Sequence, residues 1–222
     1  MSIASNLKNI KSNLPNHVTL VAVSKTKPIS DILQAYEAGH RIFGENKVQE
    51  MAEKYEQMPK DIKWHMIGHL QRNKVKYMAH FVSLIHGVDN FKLLKEIDKQ
   101  AKKNNRIINC LLQIKIAEED SKFGMTPSDA SNILTSDEFS ELKNVRITGV
   151  MGMATFTDNS TQIQKEFNTL KTTFDSLKPM ESFNFKPETV SMGMSGDYEL
   201  AIECGSTMVR VGSSIFGARN YQ

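Results

Sequence analysis

Cysteine is scarce in this chain. Cys110 and Cys204 are its only two among 222 residues. They form no spaced pair and sit among apolar or small neighbours, so a disulfide framework is excluded and a reducing, cytoplasmic setting is expected. Long apolar runs are lacking as well. None approaches the roughly 18 residues of a membrane span, and the opening stretch MSIASNLKNIKSNLPN has no apolar segment of the signal-peptide kind. Neither membrane attachment nor export is expected. An excess of one charge is also missing: 28 Lys+Arg face 25 Asp+Glu, a formal charge of +3. Nucleic-acid binding calls for a clustered basic stripe, and the one basic cluster, KKNNR at 102–106, reads as a solvated helix end. With no low-complexity segment, no Pro/Gly linker and no visible repeat, residues 1–222 are read as one domain.

What is present is ordinary globular material, 40% hydrophobic and 24% charged, arranged in an alternating pattern. Short apolar, β-branched runs fall at 18–23, 41–43, 63–67, 81–86, 107–116, 145–151, 189–192 and 208–211. Amphipathic helical stretches separate them, such as DILQAYEA with Ser30 as N-cap and Gly39 beyond its end, or 91–103 with Leu93, Leu94 and Ile97 on one face. Alternating strands and helices imply parallel strands with crossover helices. Eight such units in this length predict an α/β fold of the (β/α)8 TIM-barrel type, preceded by an N-terminal helix; a doubly wound open sheet is the alternative.

In a barrel, chemistry gathers at the C-terminal ends of the strands. Lys25 follows the first run with the parity of Val21 and Val23. It either projects into the barrel mouth, where desolvation would make its amine nucleophilic, or snorkels to solvent. Asn46, after the second run, either caps the next helix or meets a ligand. The third run leads into Gly68, His69 and Gln71, further polar groups on the same rim. His65 and His69 have an H-x3-H spacing, but they straddle a strand end and lack cysteine partners, so no metal is expected. Met151 and Met153 read as packing residues.

Two glycine- and serine-rich stretches end the last strands: SMGMSGD (191–197) and RVGSSIFG (210–217). Loops after strands seven and eight are where barrels bind phosphate, because glycine lets the backbone approach and free amides face the anion. Ser195, Gly212 and Ser213 are therefore candidate phosphate ligands, and a side chain at 212 is expected to occupy the phosphate position. A lysine opposite a phosphate cup suits a ligand carrying both aldehyde and phosphate. Pyridoxal 5'-phosphate and a phosphorylated sugar in a Schiff-base aldolase both qualify.

The segments VAVSKTKP (21–28), FGENKVQE (43–50), WHMIGHLQRNK (64–74), SKFGM (121–125) and SMGMSGDYELAIECGSTMVRVGSSIFGARNY (191–221) resemble those of the pyridoxal phosphate homeostasis proteins. These are relatives of the barrel half of alanine racemase. The resemblance runs from about residue 20 to the end. It implies pyridoxal 5'-phosphate held as an internal aldimine on Lys25, with Ser195, Gly212 and Ser213 on the phosphate. Arg210 would donate to an unprotonated pyridine nitrogen, since arginine keeps its proton. Asn46 and Met192 would be ring neighbours.

The resemblance further implies a cytoplasmic protein of intracellular cofactor homeostasis or supply, without substantial turnover, that can pass the cofactor to apoenzymes. A monomer is expected. The alternatives are an amino-acid racemase using the same cofactor and a cofactor-free phosphosugar lyase. Racemisation needs an acid and a base on opposite faces of the same carbon. Lys25 serves one face, and the chain ends just after the eighth barrel unit, so no second domain is expected to supply the other.

Overall fold

The computed structural model describes residues 2–119 and 123–218. Helix α1 (Ile3–Asn13), capped by the Ser2 hydroxyl, precedes a closed barrel of eight parallel strands in sequence order. The strands are β1 (Thr19–Val23), β2 (Ile42–Glu45), β3 (Lys63–Met66), β4 (Leu84–Val88), β5 (Ile108–Gln113), β6 (Val145–Met151), β7 (Phe185–Ser191) and β8 (Met208–Val211). Strand β1 closes on β8 with Val21 opposite Arg210. The intervening helices are α2 (Ile29–Glu37), α3 (Val48–Gln57), α4 (Phe91–Lys103), α5 (Pro127–Leu134), α6 (Asp137–Ser140), α7 (Ser160–Leu177), α8 (Tyr198–Glu203) and α9 (Ser213–Phe216). A 3-10 turn at Arg72–Tyr77 takes the place of a helix between β3 and β4. Among the described residues no helix is long and apolar enough to cross a membrane.

All eight apolar runs are strands, and the closed order excludes the open sheet. Several boundaries differ from the sequence pattern, among them β4, which starts at Leu84 and not at 81, and three have clear physical reasons. Strand β2 continues through Glu45, whose buried side chain breaks the apolar pattern. Strand β7 starts at Phe185, because Lys186, Pro187 and Glu188 hide its first residues from a hydrophobicity reading. Helix α2 starts at Ile29 with Pro28, not Ser30, as N-cap; Pro28 lacks only an N–H that the position does not need, and its carbonyl accepts from Asp31. Gly39 does end the helix, at φ +84°.

The period of two along each strand divides the apolar side chains into two layers. Leu20, Ala22 and Phe43 face outward into the core shared with the helices. Val21, Ile67, Leu84, Leu111, Met151 and Met208 fill the barrel interior. That alternation sends the residues following each strand either toward the helices or into the mouth.

Gly149 holds an irregular stretch of β6 where the register shifts against β5 and β7. Its φ is +151°, and an added Cβ would lie 1.8 Å from the Thr189 carbonyl oxygen. Gly149→Ala is therefore expected to cost at least about 2 kcal/mol. Urea unfolding should read this as a lowered midpoint, and an unchanged midpoint would contradict it.

Candidate functional site at the barrel mouth

A cavity of about 680 Å³ opens at the C-terminal ends of the strands. Lys25, Asn46, Ser195, Arg210, Gly212 and Ser213 all line it. Residues separated by up to 188 positions in the chain, 25 to 213, thus share one site. Met192 is not among the lining residues. It is fully buried in the outer core, because Ser191 takes the inward position at the end of β7. The methionines on the wall are Met153, which the sequence assigns to packing, and Met194.

Lys25 reaches the cavity by the parity of β1, with Val23 lining the same wall. Thr26, next in the chain, adopts the left-handed conformation at φ +63°. Lys27 lines the same cavity, but its Nζ donates to the carbonyls of Phe216, Gly217 and Ala218 at 3.0, 3.2 and 3.1 Å. Asn46 does not cap α3; Lys47 holds the N-cap position without a side-chain bond. Asn46 instead rests against Gly68, where an added Cβ would come within 2.5 Å of the Asn46 carbonyl oxygen. Only glycine at 68 lets these two loop segments approach so closely.

At the ends of β7 and β8, the second of which pairs with β1, the Gly212 N–H donates to Ser195 Oγ at 3.1 Å, which joins the two loops. As the first residues of α9, Ser213 and Ser214 have amides without intrahelical acceptors. An added Cβ at Gly212 would meet Val23 at 3.2 Å (Cβ) and 3.3 Å (O). A side chain there would thus press on the end of β1, where the sequence reading had it fill the phosphate position. Gly193, at φ +95°, lets the first of these loops turn tightly against Ala201 and offers its carbonyl to the Arg210 N–H at 3.0 Å.

Arg210 is buried at the cavity floor. It donates from Nη1 to Ser191 Oγ at 2.6 Å and from Nη2 to the Gly152 carbonyl at 3.0 Å. Burial pushes its pKa down to about 10, with the nearby Asp197 carboxylate opposing the shift, so it remains a cation at neutral pH. Behind it runs a polar chain that the sequence reading missed. Ser191 Oγ is 3.1 Å from His86 Nδ1, and His86 Nε2 is 3.1 Å from His65 Nδ1. Arginine only donates, so Ser191 Oγ accepts from it and still has a proton and a lone pair for His86, while the facing nitrogens of His86 and His65 share one proton between them. The available signal was strand parity: His65 lies two residues before inward-facing Ile67, and Arg210 two after inward-facing Met208. His69 has different partners from His65: its Nδ1 lies 3.5 Å from an Asp89 carboxylate oxygen and its ring stacks on Phe123. Ser121 and Lys122 of the SKFGM segment, and Arg219, Asn220 and Tyr221 of the last one, lie outside the described residues.

Beside β1, on the helix side, Glu45 is completely buried and its pKa is pushed up to about 7 by burial, against the pull of Lys54. Burial moves the histidines the other way, His40 to about 4, His65 to about 3, and His86 well below its ordinary value. These histidines are neutral when folded and charged when unfolded below about pH 6.5. Their contribution is present above that pH and is lost as pH falls toward the folded values. Glu45 acts oppositely between about pH 4.5 and 7, where only the folded state keeps its proton, but it is one group against three. Unfolding near pH 5 therefore takes up protons. Stability is expected to fall on acidification by about 1.4 kcal/mol per pH unit for each net proton. Urea midpoints at pH 7.5 and 5 measure this; a higher midpoint at pH 5 would contradict it.

Residues 1–220 match the family model described as the alanine racemase N-terminal domain. The pyridoxal phosphate homeostasis protein of Haemophilus influenzae is 41% identical over 93% of this chain and 87% of its own length. PipY of Synechococcus elongatus PCC7942, solved without pyridoxal phosphate, superposes with a TM-score of 0.91 at 35% identity, covering 97% of this chain and all of PipY. The same protein with pyridoxal phosphate bound gives a TM-score of 0.88 over the same shares of the two chains.

Proposed function

The chain belongs to the pyridoxal phosphate homeostasis proteins, within the alanine racemase N-terminal domain family, and from that membership we propose that it binds pyridoxal 5'-phosphate at the barrel mouth, with Lys25 as the point of covalent attachment. When bound, pyridoxal phosphate brings an aldehyde that condenses with an amine and a phosphate dianion that needs donors. The cavity suits both ends: a lysine after β1, and hydroxyl and backbone N–H donors after β7 and β8. The observation that carries the reading is this convergence of Lys25 with Ser195, Gly212 and Ser213 around one cavity of sufficient volume.

Each residue has a part that follows from its surroundings. Ser195 Oγ, already accepting from Gly212, has its proton left to donate to a phosphate oxygen, and the Ser213 amide adds a second donor. Arg210 is held by Ser191 and Gly152 with N–H groups to spare for a ring nitrogen, and it gives up no proton to that nitrogen. Asn46, pressed forward by Gly68, borders the ring. Met192 is left out of the set because its side chain belongs to the outer core.

The relatives are named for homeostasis of the cofactor, and the role proposed within it is that of a cytoplasmic monomer that holds the cofactor, keeps the free aldehyde low and yields it to apoenzymes, without substantial turnover of its own. Purified protein given pyridoxal phosphate should develop a visible absorption band that borohydride removes, leaving the pyridoxyl mass on Lys25. No band would overturn the binding reading, and a mass mainly on Lys27 would overturn the attachment. Ser195→Ala removes a hydrogen bond to a charged group and should weaken retention by about one to two orders of magnitude; unchanged retention by dialysis would contradict the phosphate cup. Steady amino-acid turnover near about 10 per second, abolished by Lys25→Ala, would replace the carrier by an enzyme.

A further inference from the structure

We propose that Glu45, Glu50 and Lys54 are positioning residues that fix the turn at 24–26 and thereby present Lys25 to an aldehyde. This rests on the reading of Lys25 as the attachment point. Lys54 comes from the inner face of α3, and its Nζ is fully committed. It donates to the Ser24 carbonyl at 2.8 Å, to Glu45 Oε1 at 2.8 Å and to Glu50 Oε1 at 2.7 Å. The Ser24 hydroxyl donates to the same Glu45 oxygen at 2.5 Å. The Thr26 N–H donates to Glu50 Oε1 at 2.6 Å. Both chain neighbours of Lys25 are thus tied to one cluster on the helix side, while the alternation of β1 sends Lys25 the other way, into the cavity.

Two features argue for geometry over simple stabilisation. Thr26 is a β-branched residue at φ +63°, a conformation that needs outside support, and the Glu50 acceptor supplies it. Lys54 shares the buried face of α3 with Val48 and Met51, where an apolar side chain would pack without the cost of desolvating charges. A buried ion cluster is poor as a source of stability. It is effective at holding a backbone carbonyl, a hydroxyl and an amide in fixed relation. Condensation at Lys25 forms one C=N bond and releases one water, and its ease depends on where Nζ stands relative to a ligand already held by its phosphate.

The test compares pyridoxal 5'-phosphate with pyridoxine 5'-phosphate, whose alcohol in place of the aldehyde reports the phosphate and ring contacts alone. In Glu50→Ala, pyridoxal phosphate affinity should fall about tenfold, with pyridoxine phosphate affinity within about twofold of wild type. Glu50→Gln, which keeps an oxygen for the Thr26 amide, should recover most of the loss. Lys54→Met should behave like Glu50→Ala. If it fails to fold, the Glu50 pair decides, since Glu50 is only half-buried. Equal losses for both ligands, no loss for either, or no recovery with glutamine would overturn the proposal while leaving cofactor binding standing. A wild-type protein that takes up neither ligand would instead overturn the proposed function itself.

Discussion

Lys25→Ala is expected to eliminate the borohydride-stable attachment of pyridoxal phosphate and to weaken its retention at least about a hundredfold, about 2.7 kcal/mol. The residual binding should be that of the phosphate loops, so pyridoxine 5'-phosphate, which cannot condense, should bind the variant about as well as the wild type. Lys27 lines the same cavity but is not expected to take over, because its Nζ is committed to three carbonyls at and just after the end of α9. Equilibrium dialysis with both ligands, followed by mass mapping of the reduced protein, separates these effects. Undiminished covalent capture in Lys25→Ala would place the chemistry on another lysine.

The second large effect is expected at Arg210. Arg210→Met keeps much of the side-chain volume but strips the donors from Ser191 Oγ and the Gly152 carbonyl, both inside the barrel. Each buried acceptor left unpaired costs about 1 to 3 kcal/mol, so unfolding in urea should show a loss of roughly 2 to 5 kcal/mol. Ligand affinity should fall as well, because the floor loses its cation. The absorption band of bound pyridoxal phosphate should shift where the donor to the ring nitrogen is missing. A variant with wild-type stability and an unshifted band would show that Arg210 neither organises the barrel floor nor touches the ligand.

Much of this protein was legible in its residues. Eight apolar runs separated by amphipathic stretches predict parallel strands with crossover helices, because side-chain period and connection length leave few topologies, here a closed barrel or an open doubly wound sheet. Parity with Val21 and Val23 made Lys25 a candidate for the barrel mouth, with snorkelling to solvent the alternative until the cavity placed it. The serines and glycines after β7 and β8 marked a second wall because such loops expose backbone amides. These are local properties: periodicity, turn chemistry and chain order. They concern what a residue does relative to its neighbours in the chain.

Other features came only with the tertiary structure, and each depends on distances between segments far apart in sequence. Asn46 reads as either a helix cap or a ligand contact until Lys47 takes the cap position and Gly68 of another loop is seen against Asn46. Met192 reads as a ring neighbour until one step of strand parity turns it into the outer core and gives the inward position to Ser191. Glu45 looks like a loop carboxylate, yet it ends a strand and meets Lys54 nine residues later across a strand–helix contact. Composition and periodicity determine which face of an element is buried, because water is the common reference for every residue. Which polar group meets which is decided by the closing of the barrel, since a hydrogen bond needs its two partners within about 3 Å.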